Sequence, residues 1–329
     1  MRHLDSAAQV TVCIPAYKAG SFIAETVRSV LGQSYSALTL HIAIDPPDDG
    51  SPDLTWSALS PFRGDRRVVI RKNPKRLGWA GNINAMMGRI ETEYFVLLPH
   101  DDLWTKDYLA KLVPMLMARP DASVAYADMT TFGTPKSFDR SVVLPFGESR
   151  AMHLVRFFVE GARAMPWRGV TRTSCLSVTD GFPRDPYRGF AVECEYALDL
   201  LRAGEALHLP ESIYRKRRFR HERVPASRER LTLATAPELD QAWQRHQRHM
   251  RDKMERMIAA LDIHKDMAEL CRHAATAAML LRRQKMVRPG LSDTERAGVD
   301  AAMSACLNNS HPLAPDVHRQ LTSVLDQTG

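Results

Sequence analysis

The stretch YFVLLPHDDLW, residues 94–104, decides the fold class of this 329-residue chain. Residues 94–98 are apolar throughout and lack the polar alternation of a strand that faces water on one side. Such a run is typical of a strand buried on both faces of a parallel sheet. Pro99 ends the run, and the polar residues 100–102 follow at once. The stretch therefore predicts a buried strand with chemically active side chains at its carboxyl end.

The flanking sequence alternates strand and helix patterns as far as residue 131. Strand patterns occur at 10–14, 38–44, 68–70 and 123–131, and helical spacing occurs at 21–31, 79–90 and 107–117, with Ser21 as the expected first N-cap. Repeated β-α-β units predict an α/β fold with a parallel sheet, and ligands bind such sheets at the strands' carboxyl ends. From about residue 237 the pattern is helical alone, with basic amphipathic segments at 242–261 and 267–281.

Composition narrows the class of protein. The net charge of +7 favours anionic partners but does not choose among nucleotides, nucleic acid and acidic membranes. The five cysteines form no CxxC pair, which argues against a thiolate zinc site and for a reducing compartment. The N-terminus lacks a signal-peptide pattern, and no apolar run has the length of a membrane span. We expect a cytoplasmic protein, with peripheral membrane contact left open.

Carboxylates follow two of the predicted strands. Asp101 and Asp102 follow the buried strand and would make a hard oxygen site for Mg²⁺ or Mn²⁺, although such a pair more often solvates a turn or caps the next helix. Asp45 follows the strand at 38–44, where a carboxylate can accept hydrogen bonds from a base or ribose. Taken alone, neither feature identifies a function.

Three further groups have both a functional and a structural interpretation. Glu193 and Glu195 lie at the start of a predicted helix, where either could act as a general base, or where both could simply form an acidic first turn. The basic run 215–223 reads as a flexible loop that closes over a diphosphate or as a solvated patch. Trp167 and Arg168 lie on a predicted loop. They could bind the sugar acceptor, or they could be an ordinary core residue and an ordinary surface residue.

Six motifs follow one another in order. They are VTVCIPAY (10–17), IDPPDDGSPD (44–53), NPKRLGWAGNIN (73–84), YFVLLPHDDLW (94–104), ECEYALDLLRAG (193–204) and LPESIYRKRRFRHERV (209–224). Together they resemble the inverting family-2 glycosyltransferases of the GT-A fold over about residues 9–226. The resemblance implies a Rossmann-like, mixed and mostly parallel sheet flanked by helices. We therefore expect a GT-A domain at 1–226 and an all-helical region at 227–329.

The resemblance also implies which residues bind the donor nucleotide. They are Pro15, Ala16, Tyr17, Asp45, Asn73, Arg76, Gly78, Asn82, His100 and Asp101. Pro46 and Pro47 separate Asp45 from the acidic motif that normally follows the strand directly, so Asp48 stays an alternative to Asp45.

The family's metal motif, Asp-x-Asp, is altered in this chain. Pro99 replaces the first acid, and the metal-binding acid maps to Asp101. We expect Asp101, Asp102 and His221 to hold Mn²⁺ or Mg²⁺, because His221 lies in a segment like the family's Arg-x-His loop.

The family's catalytic base is an Asp at a fixed distance before a helix-ending glycine. Counting back from Gly204 gives Glu193, with Glu195 as the alternative. The implied role is removal of a proton from the acceptor hydroxyl.

These assignments predict an inverting, metal-dependent glycosyltransferase. We expect a nucleotide-sugar donor, UDP-linked as is commonest in the family, and a glycan, lipid-linked or protein acceptor in bacterial-type surface polysaccharide synthesis. A catalytically degenerate domain that binds a nucleotide or partner is the alternative. A nucleotidyltransferase is disfavoured, because residues 16–21 contain one glycine where a triphosphate loop needs several. We expect no nucleic-acid partner, and we expect the C-terminal helices to pack on the catalytic domain or to form a homodimer.

Overall fold

The computed structural model describes residues 8–133, 139–140, 150–159, 165–183, 189–219, 236–286 and 291–326. Its strands are β1 (Val10–Ala16), β2 (Leu38–Ile44), β3 (Val68–Lys72), β4 (Tyr94–Leu97), β5 (Leu103–Trp104), β6 (Ala122–Phe132), β7 (Asp139–Arg140), β8 (Val170–Arg172) and β9 (Glu205–Arg217). Its helices are α1 (Ile23–Leu31), α2 (Thr55–Ala58), α3 (Gly78–Met87), α4 (Tyr108–Ala118), α5 (Arg150–Val159), α6 (Val192–Ala203), α7 (Ala236–Ala260), α8 (Lys265–Met286), α9 (Asp293–Leu307) and α10 (Ala314–Asp326).

One mixed sheet joins all the strands of the described residues. The order is β3-β2-β1-β4-β8-β6-β9-β5, and β7 pairs with β6. The β3-β2-β1-β4 half is parallel, and β6 and β9 are also parallel. Strand β8 runs antiparallel between β4 and β6, and β5 runs antiparallel to β9. The predicted fold class, a mixed and mostly parallel sheet with helices and a helical C-terminal region, is confirmed.

Strand β4 shows why residues 94–98 are apolar at every position. Phe95 and Leu97 enter one hydrophobic cluster, on the side of α3, α5 and α6. Tyr94, Val96 and Leu98 enter the other cluster, on the side of α1 and α4. Both faces of the strand are therefore buried, and a polar residue at any of these positions would lose its water without gaining a partner.

Two local predictions are wrong. Helix α1 begins at Ile23 after Phe22, and no side chain caps it, so Ser21 is not its N-cap. Residues 215–217, expected in a flexible loop, form the end of strand β9. There the basic side chains alternate across a strand that pairs with β6 and β5.

The C-terminal helices pack on the α6 side of the sheet and extend its hydrophobic cluster. None of the helices in the described ranges combines the length and apolarity that crossing a bilayer requires. The predicted domain boundary at 226/227 lies outside the described residues.

A buried ion pair joins α6 to α7. Asp199 is fully buried and lies 2.5 Å from Lys253 Nζ, which also donates to Asp180 at 3.0 Å. Burial raises the pKa of Asp199, against the opposing effect of the Lys253 charge. The ion pair thus joins the two helices, because each buried charge would be costly without the opposite charge on the other helix.

We predict that Lys253→Met lowers the free energy of unfolding by about 3 kcal/mol at neutral pH, because the buried Asp199 loses its close counter-charge and keeps only Arg202, whose Nε lies 3.9 Å from Oδ1. Urea unfolding measures the change. The loss should shrink at acid pH, where Asp199 can bind a proton. Arg256→Met is the control. Arg256 donates to the same Asp180 from an exposed position, so its loss should cost about 0.5 kcal/mol or less. Equal losses in the two variants would contradict the prediction.

Candidate active site

Asp45 organises the segment that links β3 to α3. It ends β2 in a buried position and accepts hydrogen bonds from Asn73 Nδ2 at 2.8 Å, Leu77 N at 3.1 Å and Gly78 N at 2.8 Å. Burial raises the pKa of Asp45, and these hydrogen bonds oppose the rise. Gly78 adopts a φ of 73°, which favours glycine. Asp45 is therefore engaged mainly with the protein, and it fixes the loop that carries Arg76.

Asn82 and His100 support the same edge of the sheet. Asn82 is buried, accepts from Asn73 Nδ2 at 3.1 Å and donates to Ala43 O at 2.9 Å. His100 Nδ1 lies 3.3 Å from Pro15 O, at the carboxyl end of β1. Pro15 and Ala16 are themselves buried in β1. The structure thus brings the ends of β1, β2 and β4 together, as predicted for neighbouring parallel strands.

A second, more exposed cluster consists of Tyr17, Arg76 and Asp48. The Arg76 guanidinium lies 4.2 Å from the centre of the Tyr17 ring, and its Nη1 is 2.5 Å from Asp48 Oδ2. The Tyr17 hydroxyl donates to Asp48 Oδ1 at 3.3 Å. An aromatic face and a cation are the groups that suit a base and a phosphate. Of the two candidates for the acid that contacts the nucleotide, Asp48 is exposed and Asp45 is buried.

The two acids after β4 have different environments. Asp102 is buried, accepts from the Tyr214 hydroxyl at 2.7 Å and from Arg217 N at 2.9 Å, and has its pKa raised to about 6 by burial and by the Asp101 charge. Asp101 is half-buried, and among the described residues no donor reaches its carboxylate. Of the two predicted ligands, Asp101 alone has free oxygens, while Asp102 holds β9 against the turn.

The positive charge of Arg168 interacts with the carboxylates of both Asp102 and Glu193. Its side chain is largely buried, and its Nε lies 3.9 Å from Asp102 Oδ2. Burial opposes the charge, but Tyr214, Asp102 and Glu193 favour it, and the pKa of Arg168 is raised. Glu193 is half-buried in the first turn of α6, and within the described ranges its carboxylate receives no hydrogen bond. Glu193 and Asp101 are therefore both free to meet a ligand.

Glu195, the alternative base, is fully buried and faces α7. Its oxygens lie 3.1 Å from His246 Nδ1 and 2.9 Å from His249 Nδ1, and Arg245 Nη1 lies 3.6 Å away. Burial alone would raise the pKa of Glu195, yet these partners lower it. The geometry makes Glu195 an anchor between α6 and α7, not a group that reaches a substrate.

Trp167 does not match the acceptor role expected for it. It is 3% exposed and packs edge-on against Trp79 and Phe182, with ring centres 5.8 Å and 6.2 Å away. The Arg168 guanidinium covers it at 4.3 Å. Trp167 is a core residue beneath Arg168 and has no free face for a sugar.

The metal site is not complete in the described residues. His221 lies outside them, and the ranges that are described contain no cluster of three or more His, Cys, Asp or Glu side chains that could hold a metal ion. Tyr214 and Arg217, the donors to Asp102, were not predicted as site residues. Both lie in the motif at 209–224, whose basic part, 215–223, was interpreted as a flexible loop or a solvated patch.

We predict that Tyr214→Phe lowers the free energy of unfolding by about 1–2 kcal/mol, because Asp102 stays buried but loses a donor. Chemical denaturation is the measurement. Tyr17→Phe is the matched control, since its hydroxyl makes one long bond to the exposed Asp48, and we expect almost no change. A Tyr214→Phe variant as stable as that control would show that Asp102 does not need the hydroxyl.

The sequence is similar to those of known glycosyltransferases. The model of the family named Glycosyl transferase family 2 matches residues 11–172. A Bacillus subtilis protein, TuaG, provisionally named a teichuronic acid biosynthesis glycosyltransferase, is 33% identical over 129 residues, 38% of this chain and 50% of that protein. The Escherichia coli protein WfaP, a UDP-Glc:alpha-D-GlcNAc-diphosphoundecaprenol beta-1,3-glucosyltransferase, is 33% identical over 95 residues, 29% of this chain and 36% of that protein.

Solved structures match over more of the chain. The structure of residues 1–349 of S. aureus TarS in complex with UDP-GlcNAc superposes with a TM-score of 0.63 at 14% identity, covering 97% of this chain and 89% of that one. At this identity the match establishes the fold alone. The sequence matches to the curated relatives named above span half or less of each relative's length. Through residues 11–172, this chain belongs to glycosyl transferase family 2, and its fold is GT-A.

Proposed function

We propose that this chain is an inverting, metal-dependent glycosyltransferase that moves a sugar from a UDP-linked donor to a hydroxyl acceptor in surface polysaccharide synthesis. One observation carries the proposal. Among the described residues no donor reaches the carboxylates of Asp101 and Glu193, and the charge of Arg168 acts on Glu193 and on Asp102, the neighbour of Asp101. Leaving-group stabilisation and proton removal need two such separate acids.

The names of two relatives support the donor and acceptor classes. WfaP and WfgD of Escherichia coli are both named as transferring from UDP-Glc to a GlcNAc-diphosphoundecaprenol. In this chain, Tyr17 and Arg76 offer an aromatic face and a cation at the end of β1, which suits a nucleoside diphosphate. We propose a UDP-sugar as donor and a lipid-linked glycan as acceptor.

Asp101 fits a hard divalent cation, because no donor in the described residues reaches its carboxylate oxygens and it follows β4 at the carboxyl end of the parallel strands. His221 remains a proposed second ligand, and diphosphate oxygens and water would supply the rest. When bound, the ion would neutralise charge on the departing diphosphate. Asp102 contributes indirectly, since its hydrogen bonds from Tyr214 and Arg217 fix the turn that presents Asp101.

In the proposed reaction, Glu193 accepts the proton of the acceptor hydroxyl as that oxygen forms a bond to the anomeric carbon. The bond from the anomeric carbon to the diphosphate oxygen breaks on the opposite face, and the nucleoside diphosphate leaves with the bonding pair. Configuration inverts because one displacement occurs. Arg168 supplies a fixed positive charge near Glu193 and the buried Asp102, and it needs no rearrangement during the step.

We predict that UDP binds more tightly with Mn²⁺ than without it, and that Asp101→Asn removes this difference, because a neutral amide is a poor ligand for a hard cation. Calorimetric titration of UDP, GDP and dTDP with and without Mn²⁺ measures it. Asp300→Asn, an exposed change on α9, should keep the wild-type difference. An unchanged metal effect in Asp101→Asn would remove the ligand assignment.

We predict that Glu193→Gln lowers kcat by about 10²- to 10⁴-fold with little change in the KM for donor, because an amide cannot accept the proton. Release of UDP from UDP-glucose, with a GlcNAc-diphospho-lipid as acceptor, measures the rate. Glu211→Gln is the control, since Glu211 is exposed and pairs with Lys111. Nucleotide binding without turnover by the wild-type chain, with any acceptor, would favour the degenerate-domain alternative.

A further inference from the structure

Exposed positive charge is concentrated at the outer edge of the sheet. Strand β3 ends the strand order in the described part of the chain. On β3 and its flanks, five cationic side chains are exposed: Arg63, Arg66, Arg71, Lys72 and Lys75. We call these five residues the basic edge. Within the described ranges none of them forms an ion pair with a carboxylate. Three nearby acids pair with other cations: Asp65 with Arg67, Asp48 with Arg76 and Asp49 with Lys18.

Two exposed apolar side chains lie at the helix α2, next to this edge. Leu54 is 68% exposed and Trp56 is 37% exposed, at and beside α2. The Arg63 guanidinium lies 4.0 Å and the Lys72 ammonium 4.1 Å from the centre of the Trp56 ring. Arg63 Nη2 also donates to Trp56 O at 2.7 Å. Two cations and an indole therefore form one exposed patch, and the exposed leucine lies two residues from the indole in the chain.

The patch adjoins the proposed donor site. Thr55 Oγ1 accepts a hydrogen bond from Ala19 N at 2.7 Å. A Cβ added at Gly20 would lie 2.7 Å from Leu54 Cβ, so the backbone of the β1–α1 turn packs closely on this residue. The same turn carries Tyr17. A surface that binds Leu54 and Trp56 would thus lie beside the opening to Tyr17 and Arg76.

We propose that the basic edge, with Leu54 and Trp56, docks this chain on an anionic lipid bilayer. Charge complementarity selects the surface, because clustered lysines and arginines are attracted to anionic headgroups. Tryptophan suits the headgroup level, where one part of the ring is apolar and the N–H is wet, and the leucine enters the acyl boundary. The contact is peripheral. It goes beyond the proposed function, since docking needs neither donor nor turnover.

A nucleic acid is also a polyanion, but it gives the exposed leucine no role. A phosphate backbone attracts the cations alone, whereas a bilayer attracts the cations and also takes up the aliphatic side chain. The dependence of binding on Leu54 therefore separates the two partners.

The test is cosedimentation of the full chain with vesicles of phosphatidylglycerol and phosphatidylcholine, against phosphatidylcholine alone. We expect binding to the anionic vesicles, weakened about 10- to 30-fold by the double variant Arg63→Gln/Lys72→Gln. Leu54→Ser should weaken it about 3-fold or more. The controls are Arg248→Gln/Arg251→Gln on α7, which removes the same charge from exposed positions, and Leu307→Ser, since Leu307 is 51% exposed. Both controls should bind like the wild type.

Fluorescence gives an independent measurement. Of the other four tryptophans, Trp104, Trp167 and Trp243 are at most 4% exposed, and Trp79 is partly buried against the α3 side of the core. Trp56 should therefore supply most of the quenching by brominated lipids, and Trp56→Phe should remove most of it. Failure of the wild type to bind anionic vesicles would overturn the proposal, as would equal losses in the control variants. Loss of oligonucleotide binding in the double variant, with Leu54→Ser unchanged on vesicles, would overturn it in favour of a nucleic-acid surface. Each outcome is independent of catalysis, so it leaves the proposed function untouched.

Discussion

The buried carboxylate of Asp102 ties the two halves of the sheet together at the site. It follows β4, the strand buried on both faces, and it accepts hydrogen bonds from Tyr214 and from the backbone of Arg217 on β9. A carboxylate without these donors would be costly to bury, so the turn after β4 and the end of β9 must stay in register. Arg168 Nε lies 3.9 Å from Oδ2 of the same carboxylate. Asp101, the preceding residue, is half-buried, and no donor in the described residues reaches its carboxylate.

Helix α6 uses the same device with a different pair of acids. Glu195 is fully buried against His246 and His249, and its neighbour two positions earlier, Glu193, is free of protein donors in the described structure. In each pair, one acid is buried and accepts hydrogen bonds from the protein, and the carboxylate of the other receives none in the described residues. The cost of burying the first acid is met by donors that also position the second.

The sequence predicted the fold class well, because its evidence is local. The apolar run 94–98 and the alternation of strand and helix patterns need only the chain's own neighbours to be interpreted, and the structure has them within a few residues. The site was less predictable, because its partners are distant in sequence. Nothing near Glu195 indicates that His246 and His249, on a later helix, occupy its oxygens. For the same reason Trp167 looked available, although its neighbours in the fold cover it.

The structure also changes the place of the C-terminal helices in the molecule. The resemblance to family-2 enzymes stops near residue 226, and for the region beyond it the sequence predicted packing on the catalytic domain or a homodimer, but not which side chains it supplies. Yet α7 supplies His246, His249 and Lys253, the partners of both buried acids of α6. The entry to α6 is strained, since Ala191 adopts a left-handed φ of 54°, which costs an alanine about 1 kcal/mol. Such a conformation persists where the surroundings enforce it. The bonds from α7 hold the first two turns of α6, and Glu193 lies in the first of them. The direction of the proposed base therefore depends on a helix that lies beyond residues 11–172, the part of the chain that the family model matches.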